Sequence, residues 1–201
     1  MKSKEKLRSI PYEDLAKEGY GKLQNQIWPG KEKREDGKSI IYLAGGCFWG
    51  VQKFLDQFSG IWETQVGYAN GEVLSPSYEE VCTQNTGHAE AVKVVYDKEK
   101  ISLTEILEFY FKVIDPLAKD HQGGDFGHQY RTGIYYVEEE QLKEILPVYE
   151  SIEDKLKRPL AVEVLPIDNF STAEEYHQKY LDKNPTGYCH IPKEMMHLKK
   201  E

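Results

Sequence analysis

The amino-acid sequence predicts an α+β fold in which helices pack on one sheet, as a two-layer α/β sandwich. Two observations support this class. The 201 residues match the length of about one domain. Strand-like and helix-like patterns follow one another as β-α-β, β-α-β and then α-β-α, so the first six elements have the β-α-β-β-α-β order of a ferredoxin-like core. Extra helices and a long irregular C-terminal tail complete the prediction.

The elements of the N-terminal half follow from local patterns. Alternation marks the strands, 3-4 spacing of apolar residues marks the helices, and stretches rich in Gly, Ser, Pro and Asn mark the loops. In chain order, the predicted elements are a strand from residue 40, a turn at 45–46, a helix to 58, a strand over 61–68, a loop over 69–88, a strand over 89–96 and a helix from 102. Ser102 and Glu105 form a capping box at the start of that helix.

The C-terminal half is predicted in the same way. Its elements are a loop over 115–131, a strand over 132–137, a helix over 138–157, a strand over 161–165, a helix after 171 and a tail from 183. A second capping box, Ser171 to Glu174, marks the last helix. Pro147 is expected to kink or divide the helix that contains it, because proline removes one backbone donor.

Residues 1–39 are predicted to form a polar arm that packs on the domain. They are rich in Lys and Glu and contain few apolar residues that could anchor them. One domain is expected over residues 40–201, including the tail over 183–201. A signal peptide is not predicted, because the charged start is followed by no apolar segment and no small-residue cleavage site, and this favours a cytoplasmic protein.

Composition excludes several functional classes. The net charge is −8, with 26 basic and 34 acidic residues, whereas a protein that binds nucleic-acid backbones is normally basic. The longest mostly apolar stretch, residues 40–51, is far shorter than the roughly 20 residues that cross a bilayer. We therefore expect neither nucleic-acid binding nor a membrane span.

Cys47 is the first candidate for chemistry. It follows Gly45 and Gly46 where a predicted strand turns into a helix, so it lies near a helix N-terminus, where free N–H groups and the helix dipole favour a thiolate. The glycines do not fit the dinucleotide pattern G-x-G-x-x-G in either register. Position alone leaves two interpretations open, a nucleophile or a small buried apolar side chain.

Glu90 is the second candidate. Strand alternation places it on the same face as Val92, Val94 and Tyr96, which is an apolar face. Burial there would raise the pKa of the carboxyl and keep it protonated near neutral pH, the state that a general acid requires. The alternative is that Glu90 lies at a frayed strand start and reaches solvent.

The loops and the tail contain further polar candidates. Tyr78, Asp125 and Tyr130 lie in the two long loops, where such residues are most often at the surface. The six histidines form no H-E-x-x-H motif and the three cysteines no C-x-x-C pair, so no metal site is predicted, and His177 is expected to be packed. Cys189 could swing towards Cys47 as a second thiol, or it could be an incidental exposed one.

Several motifs together make the sequence specific. GGCFWG, SYEEVC followed by TGHAEAV, GGDFGHQYRTGIYY and NPTGYCH occur in the order found in peptide methionine sulfoxide reductase of the A type, the peptide-methionine (S)-S-oxide reductase. The chain closely resembles that family over about residues 40–190. The resemblance implies a mixed α/β sandwich and an oxidoreductase for protein repair under oxidative stress, which reduces methionine-(S)-sulfoxide, free or in proteins. Residues 40–201 would then be one catalytic domain.

The resemblance also implies a role for each matching residue. Cys47 would attack the sulfoxide sulfur and become a sulfenic acid, and Glu90 would protonate the oxygen. Around them, Tyr78 and Tyr130 would bind the oxygen, Asp125 would orient water or a hydroxyl, Phe48 and Trp49 would hold the S-methyl group, and Tyr188 would contact the substrate. Cys189 matches the resolving cysteine, and a Cys47–Cys189 disulfide would be reduced by thioredoxin. A bound metal or nicotinamide is therefore not expected, and we expect a monomer.

Two departures and two alternatives stay open. No cysteine follows Cys189, so a further recycling cysteine found in some members is missing. Phe126 and His128 stand where many members have other residues, which affects peptide preference. Cys82 is expected to be an inert thiol.

The alternative functions are a hydrolase or acyltransferase built on Cys47, and a redox sensor or methionine-peptide binding module whose cysteines oxidise without turnover.

Overall fold

A mixed sheet forms the centre of the protein. The computed structural model describes residues 26–27 and 37–198, so the predicted arm over 1–39 lies largely outside the described residues. The strands are β1 (Gln26–Ile27), β2 (Lys38–Gly45), β3 (Ile61–Ala69), β4 (Ala89–Asp97), β5 (His121–Gln122), β6 (Asp125–Phe126), β7 (Thr132–Tyr136), β8 (Glu163–Pro166) and β9 (Phe170–Thr172). Seven of the described strands pair in the order β1-β9-β3-β4-β2-β7-β8, and β5 and β6 form a separate hairpin.

The described residues contain five α-helices, four of them between strands and one after β9. They are α1 (Phe48–Leu55), α2 (Tyr78–Thr83), α3 (Leu103–Val113), α4 (Leu142–Leu156) and α5 (Tyr180–Lys183). Both halves of the predicted capping box at Ser102 and Glu105 are present at the start of α3. Pro147 lies inside α4 and does not divide it. The α+β class is therefore confirmed.

The sheet is antiparallel except at one edge. Strand β2 pairs antiparallel with β4 and β7, β3 pairs antiparallel with β4 and β9, and only β7 and β8 run parallel among the described pairs. Apolar side chains of α1 and α3 pack with one face of β2 and β4 in a single core. The Tyr110 hydroxyl donates to the Ala44 carbonyl at 2.7 Å and ties α3 to the end of β2. This core fixes the strand end from which the site is built.

The predicted helix after residue 171 is wrong. Ser171 lies in β9, opposite Tyr68 of β3, and a short 3-10 turn at Glu175–His177 and the four-residue α5 follow in place of one continuous helix. The Glu174 carboxylate, expected in a capping box, accepts from the Tyr68 hydroxyl at 2.7 Å and from the Tyr78 backbone N–H at 2.8 Å. Long-range partners thus replace the local ones that would start a helix.

Both predicted long loops contain short regular elements. Helix α2 lies in the first loop and begins with a capping box between Ser77 and Glu80. The β5–β6 hairpin and a 3-10 turn at His128–Tyr130 lie in the second loop. These elements have six residues or fewer, which is too short to give a clear periodic pattern.

Candidate active site

Cys47 lies at the junction of β2 and α1. It is the N-cap residue of α1 and is 6% exposed. Gly46, which precedes it, has a φ of +79°, and a Cβ there would lie 2.5 Å from Cβ of Gln122. Glycine is therefore required by the backbone conformation and by the close approach of β5. The turn holds the thiol beneath the first turn of the helix.

Glu90 lies in β4, the strand next to β2, and is 2% exposed. Its Oε2 accepts the Phe48 backbone N–H at 3.1 Å. Val92, Val94 and Tyr96 belong to the same core, so the predicted apolar face is confirmed and the frayed strand end is excluded. The N-terminus of α1 therefore carries the thiol and also binds the carboxyl group.

The environment of Glu90 favours its neutral form. The pKa of Glu90 is raised from 4.5 to about 8, mainly by burial; the Phe48 N–H opposes this rise, and the nearby Asp125 charge adds to it. Burial is the largest of these effects because a charge loses its hydration there. Near pH 7, most Glu90 side chains carry a proton and can donate it.

The Cys47 thiol is also neutral in the resting site. Burial raises the pKa of Cys47 well above its usual value, and the charges of Glu90 and Asp125 raise it further. The N–H groups of Trp49 and Gly50 lower the pKa by less than burial raises it. The helix N-terminus favours a thiolate, as the sequence position predicts, but desolvation outweighs it in the resting site.

Two tyrosines from different elements face the same site. Tyr78 is the first residue of α2, and Tyr130 ends the His128–Tyr130 turn. Burial raises the pKa of both phenols, and the charge of Glu90 is the second cause for each of them. Both hydroxyls are thus kept protonated as donors beside Glu90.

An aromatic cluster forms another wall of the site. The Trp49 indole N–H donates to Nδ1 of His177 at 3.1 Å, and the Trp49 ring stacks on Tyr180 with centroids 3.8 Å apart. Phe48 meets the His177 ring edge-on at 5.2 Å, and Tyr78 lies 4.6 Å from the same ring. His177 is 1% exposed, as expected for a packed histidine. His177 thus contacts three of the predicted site residues, Phe48, Trp49 and Tyr78.

The C-terminal tail brings Cys189 to the first turn of α1. A Cβ on Gly50 would lie 2.9 Å from Cys189 Sγ, so the sulfur rests against the helix backbone three residues after Cys47. Both thiols are free. In the same segment, the Tyr188 hydroxyl, on a half-exposed ring, donates to the Asp125 carboxylate. Residues far apart in the sequence thus meet at one helix end.

Asp125 lies between the hairpin and the tail. Burial raises the pKa of Asp125, while the Tyr188 hydroxyl and His190 lower it. Its Oδ2 lies 3.9 Å from Nδ1 of His190, which is 3% exposed. Phe126, the next residue, is exposed and stacks on His121, with ring centroids 5.2 Å apart.

The structure also shows contacts that the sequence analysis missed. Glu174 orders Tyr78 through a backbone hydrogen bond, Tyr180 stacks on Trp49, and His190 is buried beside Asp125. No local pattern signals these residues, since all three depend on tertiary contacts. Cys82 is exposed, but its thiol contacts the Tyr78 hydroxyl.

Among the described residues, neither a metal site nor a membrane-spanning helix is found. Residues 26–27 and 37–198 contain no cluster of three or more His, Cys, Asp or Glu side chains placed to bind a metal ion. No helix in this part of the chain is both long and apolar enough to cross a membrane. The arrangement that is present, a thiol beside a neutral carboxylic acid, suits nucleophilic attack with general acid catalysis.

Comparisons with known proteins identify one family. The family model described as peptide methionine sulfoxide reductase matches residues 39–201. Peptide methionine sulfoxide reductase MsrA of Clostridium acetobutylicum is 54% identical over 159 residues, which cover 79% of this chain and 98% of that protein. The match therefore spans nearly the whole length of that relative.

Solved structures give the same result. The crystal structure of reduced Mxr1 from Saccharomyces cerevisiae aligns with a TM-score of 0.75 and 38% identity, over 87% of this chain and 99% of that one. Mxr1 in complex with Trx2 aligns with a TM-score of 0.54 and 28% identity, over 75% and 91%. The chain therefore belongs to the peptide methionine sulfoxide reductase family of oxidoreductases, in the MsrA type.

Proposed function

We propose that this enzyme reduces the S epimer of methionine sulfoxide, free or within oxidised proteins, to methionine. One observation carries the proposal: a buried thiol and a neutral buried carboxylic acid meet at the N-terminus of α1, where Glu90 accepts the Phe48 N–H at 3.1 Å. A sulfoxide sulfur becomes electrophilic when its oxygen is protonated or strongly hydrogen-bonded. The site combines that acid with the nucleophile, Cys47.

The first step transfers the sulfoxide oxygen to Cys47. Cys47 Sγ attacks the sulfoxide sulfur while Glu90 gives its proton to the oxygen, and the proton of the Cys47 thiol restores Glu90. The attack forms an S–S bond between Cys47 and the substrate sulfur, which carries the new hydroxyl. The hydroxyl then moves to Cys47 Sγ: the new S–O bond forms as the substrate S–O bond and the S–S bond break, so methionine leaves and Cys47 becomes a sulfenic acid. Sulfur is oxidised in Cys47 and reduced in the substrate, so the step needs no other reactant.

The walls of the site support selection of one epimer. The Tyr78 and Tyr130 hydroxyls lie near Glu90 and would bind the oxygen, whereas Phe48 and Trp49 would receive the methyl group. Asp125 would orient a hydroxyl or water and accept a substrate N–H, and Tyr188 would contact the substrate chain. The opposite epimer would place a methyl group among buried donors and leave them unpaired, which is strongly unfavourable.

Cys189 would then resolve the sulfenic acid. Its sulfur rests on the first turn of α1, and attack on Cys47 would give a disulfide and water. We propose thioredoxin as the reductant of that disulfide, since the yeast relative Mxr1 has been solved in complex with Trx2. Electrons would thus arrive through thiols, and no bound metal or nicotinamide enters the proposal.

The proposal extends to the organisation of the chain. Residues 40–201 would act as one catalytic domain, and the central strand order β3-β4-β2-β7 supports a ferredoxin-like core. We propose that the enzyme acts as a monomer, because one chain is sufficient to bring Cys47, Glu90 and Cys189 to the same helix end.

The test is thioredoxin-coupled NADPH oxidation with separate S and R epimers of a blocked methionine sulfoxide. The proposal predicts turnover with the S epimer and none with the R epimer. The control is a disulfide substrate that reports a competent thioredoxin system. No turnover with either epimer would contradict the proposal, and formation of a covalent acyl-enzyme would instead favour a hydrolase.

A further inference from the structure

His190 is buried in the tail although no regular element holds it. Its side chain is 3% exposed, and neither ring nitrogen reaches a hydrogen bond of normal geometry within the described residues. Burying an imidazole whose nitrogens make no hydrogen bond of normal geometry is unfavourable and requires a compensating reason. The first-step chemistry proposed above does not use this residue.

Glycines allow the imidazole to lie against the Cys47 turn. A Cβ on Gly46 would lie 3.3 Å from Cε1 of His190, and a Cβ on Gly123 would lie 3.0 Å from its Cβ. A Cβ on Gly50 would lie 3.5 Å from the same Cε1 and 2.9 Å from Cys189 Sγ. The imidazole and the resolving sulfur therefore share one small region above the first turn of α1.

Asp125 faces the imidazole from the hairpin. Its Oδ2 lies 3.9 Å from Nδ1 of His190 and also lacks a hydrogen-bond partner of normal geometry. An imidazole that gains a proton here would face a carboxylate, which would stabilise its positive charge. A nucleophile, a base and a carboxylate that orients the base are the usual parts of an activated thiol site.

We propose that His190 accepts the proton of the Cys189 thiol when Cys189 attacks the Cys47 sulfenic acid. This inference rests on the proposed function and adds a residue to its second step. The Cys189–Cys47 S–S bond forms as the S–O bond of the sulfenic acid breaks. The imidazolium returns the proton to the leaving hydroxide, which departs as water, so no external oxidant or reductant takes part.

The charges around the site explain why a base is needed. Burial and Asp125 raise the pKa of Cys189, so its thiol is protonated near neutral pH. Burial lowers the pKa of His190, while Asp125 and the Gly45 carbonyl raise it, so a neutral imidazole is present at pH 7. The other titratable groups here are the Cys47 thiol of α1 and the Tyr188 hydroxyl, both neutral at that pH.

The test separates the two steps in a single turnover. Reduced enzyme is mixed with the S epimer, methionine is measured after quenching, and disulfide formation is followed by trapping free thiols. We expect His190→Gln to keep the first step and to slow disulfide formation about 100-fold at pH 7. His197→Gln, which changes an exposed histidine of the same tail, is the matched control and should match the wild type.

The pH profile distinguishes proton transfer from packing. In the wild type, disulfide formation should slow towards acid pH as the imidazole becomes protonated, and this acid limb should lie below the pH at which an ordinary histidine titrates, because burial lowers the pKa of His190. In His190→Gln this limb should disappear, and the rate should rise with pH towards the wild-type value. An equal slowing at every pH, or no slowing, would overturn the proposal.

Each failure has its own signature. If the wild type forms no methionine in the first step, the proposed function fails. If the first step is normal and the wild-type rate of the second step does not fall towards acid pH, the role of His190 fails, whether or not the variant folds.

Discussion

The two cysteines proposed to act together are held by different kinds of structure. Cys47 lies between a central strand and a helix, and it is almost completely buried. Cys189 is half-buried in a segment without strand or helix, where side chains of the tail pack against glycines. Backbone hydrogen bonds hold the first site rigidly, whereas the second can move at lower cost.

This difference suits the two proposed tasks. The reaction at the sulfoxide needs a dry site with fixed donors, because buried donors act more strongly on developing charge. A disulfide that an external thiol must reduce needs access, which a tail held by side chains can give. The following variants test the contrast, from the largest expected effect to the smallest.

Cys47→Ser should abolish the chemistry of the buried site. A hydroxyl in the same position is a far weaker nucleophile towards sulfur, so methionine formation should fall by about 10⁴-fold or more. The measurement is methionine released per enzyme in a single turnover. Cys82→Ser is the control, and comparable loss in both variants would show that the contrast between the cysteines is mistaken.

Cys189→Ser should abolish only the resolving step, which takes place in the tail. The first equivalent of methionine should form at the wild-type rate, but thioredoxin-driven turnover should fall by about 100-fold or more, because the sulfenic acid is left without its resolving thiol. Pre-steady-state methionine release and steady-state NADPH oxidation measure the two effects. Full steady-state turnover would mean that Cys82 or an external thiol resolves Cys47.

Glu90→Gln should stabilise the fold as pH rises. In the wild type, the pKa of Glu90 is raised from 4.5 to about 8, so stability falls between these pH values because the unfolded state loses the Glu90 proton while the folded state still keeps it. The variant should gain about 1.4 kcal/mol relative to the wild type for each pH unit in that range.

Urea denaturation at several pH values measures that gain. Glu150→Gln, at an exposed position of α4, is the matched control and should show a difference that does not change with pH. A Glu90→Gln difference that is equally constant would mean that the site does not hold a neutral carboxyl.

Gly50→Ala should have the smallest effect on rate, and it should affect the step at Cys189 without affecting the step at Cys47. The added Cβ would lie 2.9 Å from Cys189 Sγ, so the tail must shift while α1 gains helix propensity. We expect disulfide formation to slow about tenfold and the first equivalent of methionine to keep its rate. Gly124→Ala is the control, since its Cβ would meet Tyr188 at an ordinary 3.4 Å.

The sequence predicts the features around Cys47 that depend on local patterns, and it fails for those that depend on tertiary contacts. Alternation along β4 places Glu90 on an apolar face, and the glycines before Cys47 predict the turn, because both follow from local patterns. The capping box at Ser171 misleads, since Glu174 bonds to Tyr68 and Tyr78 over long range. The protonated state of Cys47 also escapes prediction, because burial is a property of the whole fold.

The tail shows the limit most clearly. No periodicity marks the position of Cys189, and its placement against Gly50 results from contacts between segments more than a hundred residues apart. Resemblance to known sequences supplied the expectation, and the structure supplies the contact. The burial of His190 was not predicted at all, since nothing local distinguishes it from the exposed His197.

The most direct test of the central claim, that Glu90 acts as the acid for attack by Cys47, is the single-turnover rate of methionine formation in wild type and Glu90→Gln from pH 6 to pH 9.5. The wild type should be faster by about 100-fold or more below pH 8. The ratio should shrink above pH 8, as the wild-type carboxyl loses its proton. A ratio near one, or a large ratio that does not change with pH, would contradict the account.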